Sequence, residues 1–309
     1  MTTYHAPRTL GEAQALLQTA PRDLLVLAGG TDLMVREGAA VRDRPVLDVS
    51  RVGELARVSL DGDTLVLGAG VTYAMCLTEP VIRRAAPLLV EVAHRFASPL
   101  IRNVATLGGN VANASPAGDG VAALWALDAE VEAWTPDGAS RHAIAHLVTG
   151  PGQVALPAGS LLTAFLIPVA AAGEGSAFYK LVNRAWPEHP MAISVASVVV
   201  RLRLDARGRV GMARIVLGAV APTPVRALAA EAALAGEVPT RERVSEAAAL
   251  VVEVARPIDD VRASADYRRA VLPAVARVAL DRAVARASGR FGLREPRAPA
   301  AGLTRDVRG

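Results

Sequence analysis

The 309-residue sequence predicts an α+β protein of two domains and a tail, and three observations carry that reading. Helix-period and strand-period apolar patterns alternate through the first 170 residues. Two glycine pairs, Gly29-Gly30 and Gly108-Gly109, interrupt that alternation at similar points, each after a short apolar run. A small-residue stretch at 171–175 then separates this half from two β-rich runs and two long Ala-rich helical stretches. With 52% hydrophobic and 21% charged residues the chain can bury a large core and divide into two or three parts. The expected boundaries are 1–170, subdivided into about 1–56 and 57–170, then 175–287, and a flexible tail at 288–309 where Gly, Pro and Arg lack periodicity.

The elements follow in order. Leu10, Ala13, Leu16 and Leu17 lie at helical spacing behind Thr9, a residue suited to capping a helix over 9–19. Residues 24–27 form an apolar strand that runs into the first glycine pair, and 46–49 repeat the strand signal. Residues 58–60 and 65–67 flank Asp61-Gly62-Asp63, a hairpin sequence. Residues 72–96 read as helix broken into pieces by Pro80 and Pro87, followed by the second glycine pair as a turn and a helix at 121–127. Strands at 131–134 and 139–144 flank Thr135-Pro136-Asp137-Gly138, and 161–167 is a strand closed by Pro168. Beyond the 171–175 linker, 192–204 and 210–220 form a hairpin around Asp205-Ala206-Arg207-Gly208. Helices at 226–255 and 264–287 complete a small antiparallel sheet covered by helices.

Composition narrows the function classes. The net charge is +4, yet arginines alternate with acids, as in Arg42-Asp43-Arg44, which describes a solvated surface. Aromatic residues are 4% of the chain, so base stacking has little material and nucleic acid is a poor fit. Of the 34 basic residues only Lys180 is a lysine, which marks a position that favours an ammonium over a guanidinium. Cys76 is the single cysteine. It excludes an intrachain disulfide, and an iron-sulfur or cysteine-rich zinc site held by this chain alone, and it reads as a small buried apolar residue. The start, Met1-Thr2-Thr3-Tyr4-His5, lacks the charged and apolar regions of an export signal, and the apolar run at 192–200 is too short to span a bilayer. A reducing cytoplasm fits.

Chemistry concentrates at the glycine pairs. Val26-Leu27-Ala28-Gly29-Gly30-Thr31-Asp32-Leu33 sets bare backbone N–H groups after a buried strand, where they can approach a phosphate; alone, such a turn is as readily structural. Thr106-Leu107-Gly108-Gly109-Asn110, followed by Asn113, Ser115 and Asp119, repeats the idea, with Asp119 available for a ribose hydroxyl. No Lys or Arg lies in either turn, which points to backbone dipoles as the phosphate ligands. Leu65-Val66-Leu67-Gly68-Ala69-Gly70 mimics a G-x-G nucleotide turn, but the third glycine is replaced by Tyr73 and Glu91 lies within a helical pattern, so it reads as structural. His142 and His146, four apart, have no further ligand nearby and read as surface residues.

The pair A-G-G-T-D-L and T-L-G-G-N-x-A-N-A-S-P-A-G-D resembles the FAD-binding medium subunit of the xanthine dehydrogenase and carbon monoxide dehydrogenase (molybdenum hydroxylase) family. The likeness extends to Gly175-Ser176-Ala177-Phe178-Tyr179-Lys180, to the run from Leu217 through Pro222-Thr223-Pro224 to Arg226, and to Arg262-Ala263-Ser264-Ala265-Asp266-Tyr267, so it covers residues from about 4 to 287. It implies a two-part, vanillyl-alcohol-oxidase-like (PCMH-type) FAD-binding domain followed by a C-terminal domain. By position it implies that Val26 to Leu33 and Thr106 to Asn110, with Ser115, hold the cofactor around its pyrophosphate. It further implies that Asp119 binds the adenosine side, Phe96 packs near the flavin, Leu162 gives a backbone contact and Lys180 lies beside the isoalloxazine. An ammonium there would stabilise the anionic reduced flavin. It also implies partners: a small subunit with two 2Fe-2S clusters and a large molybdopterin subunit, in a dimer of heterotrimers, with this chain passing electrons to an external acceptor.

One stretch departs from the family. Where members run through paired basic residues to an acid, this chain reads Asn183-Arg184-Ala185-Trp186-Pro187-Glu188-His189-Pro190, in which only Arg184 and Glu188 echo the pattern. Trp186 and His189 either line the acceptor side or belong to an exposed proline-bracketed loop. Two alternatives stay open at this point: a stand-alone FAD oxidase with its own acid or base, and a nonenzymatic scaffold.

Overall fold

The computed structural model describes residues 3–19, 23–183 and 192–290. Its first unit is a three-stranded parallel sheet in the order Tyr4–His5, Val46–Asp48, Leu25–Leu27. Parallel neighbours need a crossover, and the helix Leu10–Gln18 supplies one. It begins where the Thr9 hydroxyl accepts the Glu12 N–H, and it buries Ala13 and Leu17. Strands Leu25–Leu27 and Val46–Asp48 both point their carboxyl ends to one side. The loops that leave them, 28–32 and 49–52, therefore open on the same side, where α/β sheets take their ligands.

The second unit is a five-stranded antiparallel sheet ordered Val58–Asp61, Thr64–Gly68, Leu161–Pro168, Glu130–Thr135, Gly138–Ala143. Gly62 at φ 55° and Gly138 at φ 116° make its two hairpins, as the Asp-Gly sequences predict. Helices Tyr73–Thr78, Pro80–Ala85 and Pro87–His94 cover it, and each proline starts a helix because its missing N–H falls among donors that have no intrahelical partner. Helix Asp119–Ala126 begins two residues before the predicted start and is almost wholly buried.

Gly108-Gly109 is not the turn expected from sequence. Both glycines lie in the first turn of a helix, Leu107–Asn113, whose start is fixed by the Thr106 hydroxyl. Glycine is a poor helix former, so the sequence favoured a turn. The contact that demands Gly108 is tertiary, since a Cβ there would stand 2.6 Å from the Ala69 carbonyl oxygen. Gly68 and Gly70 are likewise pressed against the Leu55 carbonyl, and Gly70 also lines a pocket.

The third unit is a four-stranded antiparallel sheet ordered Glu174–Leu181, Ala196–Leu204, Val210–Gly218, Val225–Arg226. It starts inside the predicted linker: Glu174 and Gly175 are already strand, and Gly175 is bare because it touches the backbone of the last helix at Ala283 and Ala287. Phe178, Val199 and Val216 join the core of the first half, whereas Ala177, Val198, Val200, Ile215 and Leu217 pack with the C-terminal helices. Both faces are thus covered, which explains why these strands read as continuous apolar runs rather than alternating ones.

The predicted helix at 226–255 is two helices, Leu228–Leu234 and Arg241–Leu250, with a 3-10 turn at Val251–Val254. Gly236 at φ 77° and Pro239 end the first, and the Thr240 hydroxyl caps the second. The last helix, Ala265–Ala287, forms as expected. Among the described residues no helix is long and apolar enough to cross a membrane. Residues 184–191, with Arg184, Trp186, Glu188 and His189, and residues 291–309, expected to be a flexible tail, lie outside the described residues.

Candidate functional site

The loops at the carboxyl ends of the two parallel strands face the helix Leu107–Asn113 across a pocket of about 700 Å³, within the range of cofactor sites. Its wall includes Val26, Ala28, Gly29, Gly30, Thr31, Asp32 and Leu33 on one side. Opposite are Thr106, Gly108, Gly109 and Asn110, and Phe96 and Leu162 also border it. The two glycine segments, 79 positions apart at Gly29 and Gly108, therefore meet at one site. Leu162 sits where the strand Leu161–Pro168 shifts register against its neighbour, an irregularity that turns side chains aside from the regular pleat.

The two segments contribute differently. Among the described residues no protein acceptor takes the N–H of Gly29, Gly30, Thr31 or Asp32, so this segment presents unpaired donors to the pocket. Gly30, at φ 69°, adopts a conformation that glycine alone takes without strain. In the second segment four of the five N–H groups are already used, and that of Thr106 has no protein acceptor among the described residues. Leu107 N donates to Val71 O, Gly108 N to Ala69 O, Gly109 N to the Thr106 hydroxyl and Asn110 N to Thr106 O, all at 2.8–3.0 Å. The expectation of a second backbone nest is corrected: the second segment offers its bare surface and one unpaired donor, the Thr106 N–H. The Asn110 Oδ1 is buried without a hydrogen-bond partner beside Gly118 and Gly120, which are not on the wall.

Five sequence-predicted residues are not on that wall. Leu107 is fully buried in the core, and Leu27 packs behind Gly30. Ser115 folds its hydroxyl into its own turn, accepting the Ala117 N–H. Asp119 and Lys180 pair with each other: Nζ lies 2.8 Å from Oδ2, with side chains 5% and 8% exposed, and the Ser194 hydroxyl donates to the other Asp119 oxygen at 2.8 Å. With both carboxylate oxygens taken, Asp119 is not a free ribose ligand here. Its place in the first turn of helix Asp119–Ala126 favours the negative charge.

Sequence reasoning missed Arg36, Val49, Ser50, Val154 and residues 156–161, all on the wall. Val49 and Ser50 were open to discovery, because they leave the carboxyl end of a parallel strand beside the one that precedes the first glycine pair. It also missed Tyr73, whose ring stacks on Phe96 with centroids 3.7 Å apart and planes 6° from parallel. Burial, reinforced by the Asp119 charge, pushes the Tyr73 phenol well above its ordinary value, so it stays neutral. Glu91, which the sequence offered as a ribose acid for the G-x-G turn, instead accepts the Phe178 N–H and pairs with Arg286, joining the two halves. His142 lies on a strand and His146 on the following short helix, so they share no helical face.

Cys76 is 1% exposed, and burial pushes its thiol up to about 12. The native chain is therefore expected to leave a disulfide reagent unreacted at about pH 8, and to release one equivalent only after unfolding. Reaction of the folded chain at the rate of a free thiol would contradict this.

The donor set fits a dinucleotide: unpaired backbone N–H groups for phosphate, and an aromatic ring backed by a second ring for a flat heterocycle. Among the described residues the wall holds two charged side chains, Asp32 and Arg36, and no evident acid-base pair. The fold and pocket thus define a cofactor-carrying α+β protein. The FAD binding domain in molybdopterin dehydrogenase matches residues 1–170, and the CO dehydrogenase flavoprotein C-terminal domain matches residues 177–287. The chain is similar to the carbon monoxide dehydrogenase medium chain of Hydrogenophaga pseudoflava, 31% identical over 286 residues that cover 92% of this chain and 97% of the relative. It is also similar to the xanthine dehydrogenase FAD-binding subunit of Escherichia coli O157:H7, 32% identical and covering 94% and 98% of the two chains. A solved carbon monoxide dehydrogenase from Hydrogenophaga pseudoflava superposes with a TM-score of 0.86 at 33% identity, covering 92% of this chain and 98% of that one. The chain belongs to the family of FAD-binding subunits of molybdopterin-dependent dehydrogenases, and is an oxidoreductase subunit.

Proposed function

We propose that this chain holds one FAD across the pocket, takes electrons from the 2Fe-2S clusters of a small partner subunit and delivers them to an external acceptor, while a large molybdopterin subunit oxidises the substrate. The observation that carries this reading is the meeting of both glycine segments on one wall. In it the unpaired N–H groups from Gly29 to Asp32 hold the pyrophosphate, Gly108, Gly109 and Asn110 close the opposite wall, and Phe96 and Leu162 bracket the ring. When bound, FAD supplies an exchange between two-electron and one-electron transfer. The residues around it bind, orient and exclude water. The assembly is a cytoplasmic dimer of heterotrimers, as the family resemblance implies.

The test is purification from cells that carry the neighbouring genes, with flavin, iron and molybdenum measured on the copurifying chains and the native mass determined. One FAD per chain, with 2Fe-2S and molybdenum on two further polypeptides, is expected. A chain that purifies alone with FAD and oxidises a substrate directly would favour the stand-alone oxidase. A chain that takes up no flavin would overturn both readings.

A further inference from the structure

Phe96 is presented to the pocket by a turn that its own residues do not favour. Ala97 follows it at φ 41°, in the left-handed region that glycine adopts freely and alanine does not. One side chain holds this turn together. The Arg102 Nη1 donates to the carbonyl oxygens of Ala93, Phe96 and Ala97 at 3.4, 3.0 and 3.2 Å, gathering the carbonyls around the end of helix Pro87–His94, of which that of Ala93 also accepts the Phe96 N–H. Arg102 comes back to the turn because the chain reverses through a short helix, Pro99–Arg102, capped by the Ser98 hydroxyl. Behind the turn, the buried Tyr73 ring fixes the plane of Phe96 by stacking on it. Directly after Arg102 the backbone becomes the pocket wall, where the Val104 carbonyl presses on Gly29.

We propose that Arg102 is a positioning residue for the cofactor: by clasping the carbonyls on either side of Phe96 it forces the left-handed Ala97 turn and holds the Phe96–Tyr73 stack as a rigid aromatic face against the flavin ring. This rests on the function proposed for the pocket, in which it takes FAD with its ring at Phe96. Arg102 need not touch the cofactor. A planar, fixed platform pre-pays ordering that binding would otherwise have to supply, and it sets the distance between the ring and its neighbours.

Four full-length variants test it: Phe96→Ala, Arg102→Met, the double Phe96→Ala/Arg102→Met, and Arg102→Met/Ala97→Gly. Each is stripped of FAD and titrated with it, and the visible flavin spectrum and reduction potential are recorded. Phe96→Ala is expected to weaken FAD binding by about two- to tenfold, the worth of an aromatic contact. Arg102→Met should weaken it by a similar factor and shift the flavin spectrum in the same sense. It should add nothing in the Phe96→Ala background, because both changes remove the same platform. Ala97→Gly should restore part of the loss, since glycine holds the turn without the clasp. If Phe96→Ala alters neither affinity nor spectrum, the placement of the ring at Phe96 fails. If Phe96→Ala weakens binding but Arg102→Met leaves it unchanged, or the two losses multiply, the positioning role fails while the cofactor site stands. Should Arg102→Met not fold, Arg102→Lys replaces it, and its crystal structure shows whether the lysine still reaches the three carbonyl oxygens. Retained binding with a spectrum between wild type and Phe96→Ala supports the clasp. A wild-type spectrum from a lysine that reaches none of them overturns it.

Discussion

Gly29→Ala is expected to abolish tight flavin retention, lowering FAD affinity by about 10- to 100-fold, because the added methyl has nowhere to go. An ideal Cβ at Gly29 would stand 1.9 Å from the Val104 carbonyl oxygen and 2.5 Å from its carbon, which are backbone atoms and not the yielding end of a side chain. Val104 cannot retreat easily. Its N–H is bonded to Ile101 O, the next N–H to the same oxygen, and the Ala105 carbonyl accepts the Tyr73 N–H. The strain must therefore be relieved by moving the 28–32 loop away from the 103–106 wall, which separates the unpaired N–H groups from the opposite side of the pocket. Gly11→Ala is the control. Gly11 sits in the helix Leu10–Gln18 with nothing within 4 Å of its Cβ position, so alanine there should raise stability by up to about 1 kcal/mol and leave flavin content unchanged. Flavin-to-protein ratio after gel filtration reads both. Stoichiometric FAD in Gly29→Ala would show that the two walls need not touch.

That contact also shows which parts of the site the sequence could carry. Turn chemistry is local, so the hairpins at Gly62 and Gly138 and the capped helix after Thr9 were legible from a few neighbouring residues. The glycine pairs were legible as candidates because glycine after an apolar run is unusual without a reason. The reasons themselves were not, since they belong to distant partners: Val104 for Gly29, Ala69 for Gly108, Leu55 for Gly68. The same limit applied to the Ala-rich stretch at 226–255, where summed helix propensity outweighed Gly236 and Pro239 in the sequence pattern but not in the folded chain. Phe96 was reachable through the family resemblance. Tyr73 behind it and Arg102 around it were not, because a stack between residues 23 positions apart and a side chain that returns to the turn it follows leave no periodic trace.

Lys180 is the residue on which sequence and structure most need reconciling, and its replacement has the second large expected effect. The sequence singled it out as the only lysine, and the resemblance set it beside the flavin as a positive charge. In the structure that charge is spent on Asp119 at 2.8 Å, in a pair whose side chains are almost fully buried. A neighbouring cofactor would feel a dipole, weaker and shorter-ranged than a lone ammonium. Lys180→Met leaves the Asp119 carboxylate buried with one hydroxyl donor, Ser194, and should cost about 3–5 kcal/mol, seen as a large drop in the apoprotein melting temperature. The double variant Lys180→Met/Asp119→Leu removes both charges and should recover most of that stability, because a matched apolar pair avoids the desolvation that the ions incur. Flavin potential then separates the two roles. If the pair only holds helix Asp119–Ala126 to strand Glu174–Leu181, the double variant keeps the wild-type potential. If the ammonium end also faces the cofactor, the potential falls in the folded double variant, since negative charge on the reduced flavin has lost a nearby cation. A double variant as unstable as Lys180→Met would contradict the account of the pair, because no uncompensated charge would remain to explain the loss.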